Sequence, residues 1–167
     1  MGLGSVSVPL SLPEDVLAAL ERGEPDRLLG TPETAQICFR GHPYALETGI
    51  GVWELARAVA DLANVSGGVI VVGVRTAAAE DGLPEVAAGL GPLPAGMLGE
   101  DLHYGVIREH VRPAVAVEVT YLPAPHRARE GYLGIHVKPL REAGRRAAVR
   151  LPGARYWPLA AGIRSPA

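Results

Sequence analysis

Residues 52–74 (VWELARAVADLANVSGGVIVVGV) constrain this 167-residue chain more than any other stretch. Val52, Leu55, Val59 and Leu62 recur at the spacing of one helical face. Ala56, Ala60 and Ala63 flank that face and are small enough to pack closely on a sheet. Glu54 is expected in the first turn, where the helix dipole favours an anion. Gly67 and Gly68 supply the positive φ that ends a helix and reverses the chain. Val69, Ile70, Val71 and Val72 then form a β-branched run, the signature of a central strand buried on both faces.

The length suits one domain with a real core. No segment approaches the ~20 apolar residues of a membrane span. A cationic, apolar leader is not seen, so a cytoplasmic protein without membrane partners is expected. Cys38 is the only cysteine, which rules out an internal disulfide. Fifteen of the sixteen basic residues are arginine; with the heavy Ala and Gly usage this reads as the bias of a GC-rich genome. The net charge of −2 hides a split. Residues 1–101 carry five basic and fourteen acidic side chains, and residues 102–167 carry eleven basic and four acidic. Two readings stand side by side: the basic half presents an anion-binding face, or the halves neutralise each other within one domain.

Along the chain, residues 12–22 read as a short helix, with Pro13 early and Gly23 after its end. A further helical turn is expected at 26–29. Residues 35–40 (AQICFR) read as a strand, with Ile37 and Phe39 on one face and Gln36, Cys38 and Arg40 on the other. Residues 41–51 read mostly as loop, with a short strand at 44–47. Residues 75–98, rich in Ala, Gly and Pro, read as a long connection. Residues 100–111 read as a helix buried through Leu102, Val106, Ile107 and Val111, and ended by Pro113. Residues 115–122 and 132–137 read as a hairpin, followed by a basic turn at 141–146 and short strands at 147–151 and 155–159. This order implies an α+β fold, a mixed or antiparallel sheet with helices packed mainly on one face.

Three stretches carry a family resemblance. Pro32-Glu33-Thr34-Ala35-Gln36-Ile37-Cys38-Phe39-Arg40 follows the pattern P-E-S-x-x-L-[DE]-[FW]-K without a gap. Glu54 through Val74 follows E-x-x-K-x-V-x-A-x-A-N-x-x-G-G-x-[IL]-x-x-G-V, with Arg57 at the basic position. Tyr156-Trp157-Pro158-Leu159-Ala160-Ala161-Gly162 stands where [YR]-x-x-R-x-G would close the domain. Over residues 31–164 the chain resembles the Schlafen AlbA-like domain of bacterial DNA-binding regulators and Schlafen proteins. The resemblance implies a single globular unit over 31–167, preceded by a helical extension over 1–30.

In the ribonuclease branch of that family, three carboxylates hold a divalent cation that activates water and stabilises phosphorane charge. Mapped here, those positions are Glu33, Cys38 and Thr76. Cys and Thr cannot replace carboxylates for a hard cation, and the closing Arg is replaced by Ala160 or Ala161. A catalytically silent copy without metal or cofactor is therefore expected. No G-x-x-x-x-G-K-[ST] is present, which excludes a P-loop.

The leading expectation is a non-catalytic domain that binds nucleic acid or another polyanion. Its candidate contacts are Arg40, Arg57, Arg127, Arg129, Arg145, Arg146, Arg150 and Arg155, because the planar guanidinium suits phosphate. The alternative is a protein-interaction or self-assembly module, a homo-oligomer driven by the charge split and by Trp53 and Trp157. A third is a residual nuclease recruiting Glu80 or Asp81. Asn64 is expected to cap its helix or bond the Gly67–Gly68 turn. His103 and His110, seven apart, read as ordinary, partly buried histidines.

Overall fold

The computed structural model describes residues 8–78, 84–142 and 144–150. Its centre is the helix–turn–strand unit. Helix α2 (Gly49–Val65) buries Leu55, Ala56, Val59, Ala60, Leu62 and Ala63. Gly67 (φ 75°) and Gly68 (φ 155°) then turn the chain into β2 (Gly68–Val72), buried at every residue. A Cβ on Gly68 would lie 2.2 Å from the Gln36 carbonyl oxygen, so only glycine fits there.

Strand β1 (Ile37–Arg40) pairs parallel with β2 on one side. On the other side β2 pairs antiparallel with β8 (Glu130–Val137). The strand β7 (Val117–Pro123) forms the expected hairpin with β8, in register from Val117↔Val137 to Pro123↔Gly131. The two-residue β5 (Leu93–Pro94) extends the sheet beside the start of β8. The fold is thus α+β with a mixed sheet.

Strand alternation sends the sheet's side chains into two cores. Ile70, Val72, Leu133, Ile135 and Val137 pack with α2 and with Ile107 of α3 (Glu100–His110). Val69, Val71, Ile37 and Phe39 face Val16, Ala19 and Leu20 of α1 (Pro13–Glu21), and Leu28 of the 3₁₀ turn Pro25–Leu28. The two longer helices share one face and α1 covers the other, which is why the β2 run is continuously apolar.

Several local expectations change. Residues 44–47 form loop rather than strand, because α2 starts three residues earlier than its apolar stripe suggests. Thr48 caps it, its Oγ1 accepting from the Gly51 N–H at 3.0 Å. Glu54 consequently lies beyond the first turn. The 75–98 stretch is structured: β3 (Val74–Ala77) and β4 (Val86–Leu90) pair as a hairpin with a register shift at Arg75/Thr76. Helix α3 is rotated relative to the expected stripe. Leu102 is 61% exposed, while His103 and His110 are buried beside Ile107. Val111 begins β6 (Val111–Arg112), which pairs with β9 (Ala148–Val149).

Candidate nucleic-acid interface

Glu33 gives one carboxylate oxygen to the backbone: Oε1 accepts from the Phe39 N–H at 2.8 Å. Its own N–H donates to the Glu85 carbonyl at 2.8 Å. Thr76 hydrogen-bonds the Glu85 carboxylate through its hydroxyl. The acid beside Thr76 is therefore Glu85, whose Ala- and Pro-rich surroundings carry no motif. Glu80 and Asp81 lie outside the described residues. Cys38 is half-buried on the α2 side of β1, and its thiol is pushed up to about 11. Burial is the main cause and the Glu33 carboxylate adds to it, against the opposing pull of the Arg40 guanidinium. A neutral thiol is neither a ligand nor a nucleophile at ordinary pH. Among the described residues no three His, Cys, Asp or Glu side chains gather in a metal-holding arrangement.

The arginines fall into three settings. Arg40 is neutralised: Nη2 donates to Glu54 Oε2 at 2.8 Å and Nε to the His42 carbonyl at 3.0 Å. Its guanidinium lies 4.1 Å over the Tyr44 ring. Tyr44 is buried, and its phenol is raised well above its usual range, mainly by that burial. Arg57 is exposed, with Nε 3.0 Å from both oxygens of Asp61 one turn on. Such an exposed i,i+4 pair is weak and yields readily to a phosphate.

Arg57 also flanks Trp53, its guanidinium carbon 5.9 Å from the ring centre. Trp53, Arg57, Ala60, Asp61 and Asn64 form one stripe of α2, and Arg146 meets them across a cleft of about 270 Å³. Asn64 sets that meeting. Its Oδ1 accepts from the Ala147 N–H at 2.6 Å and its Nδ2 donates to the Ala147 carbonyl at 2.9 Å. The expected cap or turn bond is thus replaced by a two-point clip onto the segment before β9. The signal for it lay 83 residues away. At the far end of that segment, Arg150 exchanges bonds with His110. The Arg150 N–H donates to the His110 carbonyl at 2.7 Å, and His110 Nδ1 donates to the Arg150 carbonyl at 2.8 Å. Arg145 is exposed and pairs with Glu142 at 2.9 Å.

Arg127 and Arg129 belong to the β7–β8 turn, which brings Arg127 to the α1 side. Arg127 pairs with Glu130 at 3.3 Å and lines a hollow with Asp26 and Gly23. Arg129 is exposed, and its carbonyl accepts from the Ala95 N–H. The described candidates do not form one surface: Arg57 and Arg146 line one cleft on the α2 side, and Arg127 stands on the α1 side of the sheet. Arg155 and Trp157 lie outside the described residues, as does the 155–159 strand. His103 and His110 each bond a backbone carbonyl and share no ligand position.

No family model matches the chain, and no curated protein matches it. A solved structure that does match is the N-terminal domain of an ATP-dependent DNA helicase RecG-related protein from Nitrosomonas europaea. It is 20% identical, with 86% of this chain and 84% of that chain covered, at a TM-score of 0.44. None of the described helices is long and apolar enough to cross a membrane.

Proposed function

We propose that this chain is a divergent Schlafen AlbA-like domain that binds nucleic acid without cleaving it. The observation that carries this reading is the cleft in which Arg57 and Arg146 approach the half-buried indole of Trp53. An indole beside the Arg57 guanidinium, in a cleft that Arg146 also lines, offers a base a stacking platform and its phosphates two bidentate donors. The ligand chemistry supports the absence of cleavage. Among the described residues, Glu33, with one oxygen already accepting a backbone N–H, and Glu85 beside Thr76 are two acids where three carboxylates would be needed, and Cys38 is a neutral thiol.

Fluorescence anisotropy with labelled single- and double-stranded DNA and RNA tests the reading. If Arg57 and Arg146 each engage a phosphate, affinity falls with salt at a log–log slope of about −1.4 to −1.8. No binding to any of these at low salt would refute the proposal. Labelled tRNA incubated with Mg²⁺ or Mn²⁺ should remain intact; cleavage that Glu33→Gln or Glu85→Gln abolishes would make the domain a residual nuclease.

A further inference from the structure

A second pocket, of about 320 Å³, lies between the 43–47 loop and the start of α3, away from the Trp53 cleft. Its walls are Pro43, Tyr44, Leu46, Met97 and Leu102, with Glu47 among them and His103 behind. Met97 and Leu102 are more than half exposed, an unusual place to leave large apolar side chains side by side.

His103 is 1% exposed, and its ring is fixed by Nδ1, which donates to the Gly99 carbonyl at 2.7 Å. Burial holds its pKa below the usual value, so the imidazole is neutral. With the proton on Nδ1, the distal Nε2 is a pure acceptor. That Nε2 is buried and has no hydrogen-bond partner among the described residues. A buried acceptor without a donor is costly, and native structures supply one. The Tyr44 ring packs edge-on against the imidazole at 6.3 Å and offers no such donor.

We propose that this pocket is a binding site for a small, apolar, non-anionic molecule carrying one O–H or N–H donor. Its donor pairs with His103 Nε2. Its apolar body lies against Leu46, Met97 and Leu102, and Met97 and Leu102, exposed and unbranched at Cβ, can swing to admit it. Glu47 disfavours anions.

The probes are phenol, anisole and benzoate, titrated into the full chain. Anisole keeps the ring and oxygen of phenol but replaces the O–H donor by a methoxy group, and benzoate adds a negative charge. Binding is followed through the ¹⁵N shift of His103 Nε2 and the methyl resonance of Met97. Phenol should bind saturably, move the Nε2 signal, and bind about tenfold more tightly than anisole; benzoate should not bind. His103→Phe should erase the preference for phenol over anisole. Leu102→Asp, at an exposed position that leaves the core intact, should weaken phenol binding. The proposal fails if phenol does not saturate, if anisole binds as tightly as phenol, or if the Nε2 signal stays still because water alone serves it.

Discussion

Cys38 illustrates how one buried face decides side-chain chemistry. Strand alternation places it opposite Ile37, as the sequence indicates, but that face is covered by the α2 layer rather than by solvent. The thiol pKa of about 11 predicts slow alkylation. Iodoacetamide at pH 8 should label native protein at least tenfold more slowly than urea-unfolded protein, by mass spectrometry. The sign of the linkage is equally definite. A pKa raised from 9.0 in the unfolded chain to about 11 means that the native state holds the proton more tightly. This contribution is whole below pH 9 and is lost as the pH rises through 11. Tyr44, raised in the same direction, adds to the alkaline loss at higher pH. His103 acts oppositely: its lowered pKa makes the unfolded chain bind the proton first. Its contribution is whole above about pH 6.5 and declines as the pH falls below that. Urea melts of His103→Phe should therefore show a shallower acid limb than the parent chain. That His103 rather than Leu102 faces inward was not legible from residue type, since apolarity favours Leu102. The helix phase is set by packing Ile107 and His110 onto the core.

Helix α2 and its turn were the most legible element, because apolar spacing and paired glycines agree there with the tertiary fold. The missed turn at its start has a simple cause. Gly49-Ile50-Gly51 has poor helix propensity, yet Thr48 caps it, and Gly51 lets the chain pass close to Ala45. A Cβ at Gly51 would lie 2.0 Å from the Ala45 carbonyl oxygen. Thr48→Ala should cost about 1 kcal/mol in denaturant melts. Gly68→Ala combines a left-handed φ with a backbone clash and should cost about 3 kcal/mol or more, or prevent folding. The β3–β4 hairpin was illegible because Val86-Ala87-Ala88-Gly89-Leu90 carries no clear alternation, and its register shift breaks the period that would reveal it.

At the scale of the whole molecule, the described arginines of the basic C-terminal half lie on more than one surface. Linear charge counts cannot show this, because the β7–β8 turn carries Arg127 to the α1 side, while the chain returns along β9 to the α2 side. If the Trp53 cleft is the interface, the arginines separate by function. Arg57→Ala and Arg146→Ala should each weaken binding several-fold and lower the salt slope by about 0.7–0.9. Arg127→Ala should leave both unchanged, by the same anisotropy measurement. The candidate site was legible at Arg57, through the central block. Its pairing with Arg146 was not, because it depends on a contact between distant parts of the chain.

The Asn64 clip joins the end of a helix to a strap that arrives much later in the chain. An amide can satisfy both polar groups of Ala147; a carboxylate can satisfy only one and sets its second oxygen against a carbonyl. Conversion of Asn64 to Asp, whether by mutation or by slow chemical ageing of the amide, would therefore turn an attachment into a repulsion. One lost nitrogen would loosen the cleft without touching either of its arginines.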